Sequence, residues 1–109
     1  ESEDEFDRIT AIAGSGPGYT FELLRCWVEA AEALGFTPAQ ARSLVLATVR
    51  GAVELAQERD LPLAELRAEV TSKKGTTEAG LNALNGDGEI AVRFARTLQA
   101  AYDRAVELR

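Results

Sequence analysis

The sequence predicts an all-α fold, a multi-helix bundle whose helices interlock with those of a second copy into an intertwined dimer. Three observations point there. Apolar residues recur at three- and four-residue spacing along most of the chain. The punctuation comes as single Gly and Pro residues between helical patterns, with no repeat, low-complexity tract or long linker. Two of the long helices carry more apolar face than a 109-residue monomer easily covers, which favours a dimer over a tight monomeric bundle.

Residues 3 to 12 form a short first helix, with Phe6, Ile9 and Ile12 spaced by threes, ended by Gly14 and Gly16. A long helix starts at Pro17, whose fixed φ suits a first helical position, and runs to Leu34 with Gly35 as its stop. Thr37-Pro38-Ala39-Gln40 reads as a capping box, opening a helix to about Arg59. That helix is apolar around most of its circumference and needs cover on two sides; a close helix crossing would explain Gly51 in its middle. Short helices follow over Pro62 to Val70 and Thr76 to Leu84. The last runs from about Asp87 to Leu108, with Phe94, Leu98, Ala101, Ala105 and Leu108 forming a coiled-coil-like seam.

Composition narrows the function. The chain is one domain, residues 1–109, and its 46% hydrophobic content supports a real core. Eighteen acidic residues against twelve basic ones give a net charge of -6, which argues against nucleic acid and anionic lipid as partners. No stretch approaches the roughly 20 apolar residues of a membrane span. The Glu1-Ser2-Glu3-Asp4-Glu5 start is the opposite of a basic signal-peptide opening, so a cytoplasmic location is expected. A first residue other than methionine suggests a fragment or a processed product. With one cysteine and no histidine, the chain is expected to hold no internal disulfide, no Cys/His metal site and no His-dependent triad.

Two segments could carry chemistry. Ile9 to Tyr19 imitates a strand entering a dinucleotide fingerprint, but the third small residue would fall at Tyr19 and no second strand follows, so a Gly-rich hinge is the better reading. Thr71-Ser72-Lys73-Lys74-Gly75-Thr76-Thr77 packs four hydroxyls, two ammonium groups and a glycine into the entrance of a helix, where unpaired amides and the helix dipole favour an anion. The plain alternative is a Thr-capped helix after a polar loop. Cys26 beside Trp27 is expected to behave as a buried small hydrophobe. Glu65, Glu69 and Glu78 show no acid/base pairing and receive no catalytic role, and the acidic leader reads as a solvated end.

Ala13-Gly14-Ser15-Gly16-Pro17-Gly18-Tyr19 opening a long helix, followed by Leu66 to Leu81 with Val70-Thr71-Ser72-Lys73-Lys74-Gly75-Thr76-Thr77 at its centre, resembles the C-terminal domain of pyrroline-5-carboxylate reductase over essentially the whole chain. The resemblance implies the fold of the 6-phosphogluconate dehydrogenase C-terminal domain, a homodimer or higher oligomer, and a small imino-acid substrate on the route to proline. It implies NAD(P)H held mainly by an N-terminal Rossmann domain that this sequence does not contain, so that the chain alone would be inactive and need no cofactor. Mapped onto this sequence, Ser72, Gly75, Thr76 and Thr77 would contact substrate, Thr77 would also give polar help at the imine, and Thr10 would approach the nicotinamide. Lys73-Lys74 stands where the family usually has Pro-Gly, Ala13 replaces a serine and Ala68 a commonly acidic residue. Glycine adopts positive φ cheaply and lysine does not. A divergent imine reductase paralogue, or a non-catalytic helical oligomerisation module, are the alternative functions.

Overall fold

The computed structural model describes residues 2–109, and the regular structure among them is entirely helical. In order come α1 (Glu3–Ile9), a π-helical segment (Thr10–Gly14), α2 (Gly16–Ala33), α3 (Pro38–Glu58), α4 (Leu63–Glu69), α5 (Thr76–Asn85) and α6 (Glu89–Glu107). The chain divides into two units, one made of residues up to Thr20 with Ala79–Arg109, the other of Phe21–Glu78.

In the first unit α1, the π-helical segment and α6 pack on one another. Ser2 caps α1, its hydroxyl accepting from the Glu5 N–H at 3.0 Å. The expected helix to residue 12 instead widens after Ile9, and the Thr10 carbonyl accepts from the Ser15 N–H at 2.9 Å, a five-residue step. Ala11 in this segment is buried, and its carbonyl accepts the Tyr19 hydroxyl at 3.2 Å, tying the first turn of α2 to it.

The acidic leader is not simply solvated. Because α1 lies against α6, Tyr102 donates to Asp4, while the Arg109 guanidinium reaches Asp7 at 2.7 Å and Glu3 at 3.6 Å. Asp7 is the buried charged residue of this unit, and a charge so placed needs a partner. The Tyr102 hydroxyl, helped by Arg8 and Arg109, holds the Asp4 carboxyl below its ordinary range; Asp4 in turn pushes the Tyr102 phenol up.

The second unit follows its local signals closely. Gly35, at φ 108°, stops α2. Both bonds of the capping box form: the Gln40 N–H donates to the Thr37 hydroxyl at 3.2 Å, and the Thr37 N–H to the Gln40 side-chain oxygen at 3.0 Å. At its other end α3 is tied to α4 by Arg59, whose two terminal nitrogens meet the Glu69 carboxylate at 2.5 and 3.1 Å. Between these ends α3 buries only Ala41 and Val45, one turn apart. Leu44, Leu46, Val53 and Leu55 remain exposed, so the two-sided cover that the sequence demands is not supplied within the unit.

Two features expected of this unit are not supplied by the single chain. Cys26 is exposed rather than buried, as is Trp27, because no part of the unit covers that face of α2. No helix crosses at Gly51 either, where a Cβ would meet open space. In α6, which starts at Glu89 after a left-handed Gly88, the expected seam is half-buried at Leu98, Ala101 and Ala105 and exposed at Phe94 and Leu108.

Candidate anion site at the entrance to α5

Between α4 and α5 the chain folds into a tight turn. The Thr71 hydroxyl donates to the Arg67 carbonyl at 2.6 Å, closing the end of α4. The Ser72 carbonyl then accepts from the Gly75 N–H at 3.2 Å, so residues 72–75 form a β-turn whose third residue, Lys74, has φ 59°. This is the left-handed conformation that glycine adopts cheaply and that lysine does not. A Cβ on Gly75 would lie 2.5 Å from the Ser72 Oγ, which would have to rotate away, and 3.3 Å from the Ser72 carbonyl oxygen.

This geometry brings together the four residues singled out as substrate contacts. Ser72, Thr76 and Thr77 are exposed and Gly75 is half-buried, all within one turn of the α5 N-terminus. The three hydroxyls make no side-chain hydrogen bond among the described residues, and the first amides of a helix lack intrahelical acceptors. Hydroxyl donors, free amides and the positive end of a ten-residue helix therefore face solvent at one spot, an arrangement suited to a carboxylate.

Thr10 lies in the other unit. Its hydroxyl donates to the Phe6 carbonyl at 2.9 Å, and with Phe6, Asp7, Ala105, Leu108 and Arg109 it lines an open groove of about 760 Å³. A Cβ on Gly14 would lie 3.4 Å from the Thr10 methyl group, an ordinary packing contact.

One residue of the turn escaped the sequence reading. Glu78 is half-buried and accepts the Lys74 N–H at 2.9 Å. The signal was present, because Glu78 is the third residue of α5, the position from which an acidic side chain folds back over a helix start.

The family profile described as pyrroline-5-carboxylate reductase dimerisation matches residues 3–108. The chain belongs to this family. Among its relatives, the pyrroline-5-carboxylate reductase of Pseudomonas aeruginosa is 39% identical over 108 residues, covering 99% of this chain and 39% of that protein. The enzyme of Staphylococcus aureus is 36% identical over 107 residues, with 98% and 39% covered. Among solved structures, the Coxiella burnetii pyrroline-5-carboxylate reductase superposes with a TM-score of 0.93 at 42% identity, covering 99% of this chain and 40% of that one. The Plasmodium falciparum pyrroline carboxylate reductase, solved with NADP bound, gives a TM-score of 0.90 at 28% identity, with 96% and 40% covered. The chain thus spans about two fifths of the length of the relatives it matches. An oligomerisation role for the domain follows from the family, and no helix among the described residues is long and apolar enough to cross a membrane. The match over the whole helical chain favours the reductase reading over the non-catalytic module and the divergent paralogue.

Proposed function

We propose that this chain is the dimerisation and substrate-carboxylate-binding domain of an NAD(P)H-dependent pyrroline-5-carboxylate reductase, acting as a cytoplasmic homodimer or higher oligomer in the last step of proline biosynthesis. The observation that carries the reading is the turn before α5, which gathers the hydroxyls of Ser72, Thr76 and Thr77 and the first amides of the helix around Gly75. The substrate carboxylate binds there, and Thr77 hydrogen-bonds the imine nitrogen, which gains a proton as its carbon gains a hydride. Dinucleotide, when bound, supplies that hydride. Thr10 suits its nicotinamide end: the Thr10 hydroxyl has its hydrogen on Phe6 and keeps lone pairs that accept from a carboxamide. On this reading the rest of the cofactor is held by a Rossmann domain of the parent enzyme.

Magnitudes set the affinity. Helix-terminal amides contribute roughly 0.3–1 kcal/mol to an exposed anion, and each hydroxyl bond about 1 kcal/mol net. The total reaches about the 4 kcal/mol of a millimolar dissociation constant and no further. Proline titrated into the ¹⁵N-labelled chain should therefore shift amides of residues 71 to 78 at millimolar concentration, and the shifts should shrink in Thr77→Val, which keeps shape and removes the hydroxyl. Shifts confined to other residues, or a valine variant that binds equally well, would overturn the site. The isolated chain should reduce no cyclic imine with either nicotinamide cofactor, whereas joined to its Rossmann domain it should do so.

A further inference from the structure

We infer that Glu78 is the positioning residue of the carboxylate turn: by accepting the Lys74 N–H it holds Lys74 in the left-handed conformation that shapes the turn carrying Ser72, Thr76 and Thr77. This rests on the reductase reading above. Lys74 is the one residue other than glycine with positive φ among the described residues, at 59°, and an L residue resists that conformation because its Cβ crowds the carbonyl. Something must hold it there, and the 2.9 Å bond to the Glu78 carboxylate is the contact its N–H makes. The turn moves as one piece, because Gly75 follows Lys74 directly and its N–H donates to the Ser72 carbonyl at 3.2 Å across the turn. Releasing Lys74 would therefore displace the Ser72 hydroxyl and the first amides of α5 together. Glu78 does not act by charge, since a carboxylate beside a substrate carboxylate repels it. That opposition in sign makes the idea testable.

In the complete reductase, Glu78→Ala should raise the KM for the imino acid by about five- to ten-fold, the effect of one lost hydrogen bond, while kcat stays within about two-fold. Glu78→Gln, which keeps the acceptor oxygen, should raise KM by no more than about three-fold. Lys74→Gly placed in the Glu78→Ala background should restore most of the loss, because glycine holds positive φ without help. In the labelled chain, Glu78→Ala should move the Lys74 amide upfield and speed its hydrogen exchange. A KM that falls or stays unchanged in Glu78→Ala means that the side chain acts by charge or not at all, and overturns the proposal while leaving the reductase reading intact. If Glu78→Ala does not fold, the double variant decides: near-normal KM supports positioning, and a double variant as impaired as the single one overturns it. A complete enzyme that reduces no cyclic imine overturns both readings.

Discussion

In the first unit, α1 and α6 meet around a buried carboxylate, and the two ends of the chain are joined by Asp4–Tyr102 and Asp7–Arg109. In the second, α3 is secured at both ends, by the Thr37 capping box and by Arg59–Glu69, yet buries only Ala41 and Val45 along its length. The first unit ties its ends together through polar contacts between residues far apart in sequence, while Phe6, Ile12, Phe94 and Leu108 stay exposed. The second satisfies its backbone internally and leaves its apolar side chains bare. Apolar burial supplies most of the free energy of folding and association, so the long bare faces of α2 and α3 are where a dimerisation domain has much to gain from another copy.

Substitutions that strike the two regions should therefore fail differently. Val53→Asp on α3 should give the largest effect, weakening the dimer by at least about a hundred-fold in sedimentation equilibrium, because a carboxylate left unpaired in an apolar interface costs several kcal/mol. In the single chain Val53 is 51% exposed, so the same carboxylate would be harmless there; an undiminished dimer would show that the α3 face lies outside the interface. Arg109→Ala should act on the fold instead. It leaves Asp7 buried without its cation, and the melting temperature should fall by about 4–8 °C, the response of a domain of this size to one lost interaction.

A gentler probe of the first unit is pH. Asp4 has its acidity strengthened by the Tyr102 hydrogen bond, so its stabilising contribution is complete above the ordinary carboxylate value near 3.8 and is lost as pH falls through the depressed one. Tyr102 has its pKa raised by Asp4, so its contribution is complete below about 10 and is lost as pH rises through the higher folded value. Melting temperature measured across pH should decline at both extremes, and Asp4→Asn should flatten both limbs. Equal declines in the variant would show that this pair does not join the chain ends in solution.

The smallest effect is expected at the turn. Lys74→Gly removes the crowding of a left-handed side chain, worth roughly 1–2 kcal/mol, and adds the roughly 0.5–1 kcal/mol of extra chain entropy that glycine brings. The net gain should be about 0.5 kcal/mol, visible in denaturant unfolding. A loss of stability would show that Lys74 leaves positive φ in solution.

What the sequence determined by itself was local. Gly35 ends α2 because glycine reaches φ 108° without strain, Thr37 and Gln40 cap α3 because three residues bring each side chain to the other's amide, and the Ser72, Thr76 and Thr77 hydroxyls cluster because they fall within six positions at the start of α5. The positioning role of Glu78 was half legible, since its place in α5 is a sequence fact but the left-handed Lys74 that it holds is not. Tertiary structure alone decided the rest. Asp7 and Arg109 are separated by 102 positions and Asp4 and Tyr102 by 98, and no periodicity or motif relates groups so distant. The exposure of Cys26 and Trp27 was likewise beyond reach of pattern, because an apolar stripe records that a face will be covered and does not say whether its cover comes from the same chain or from another.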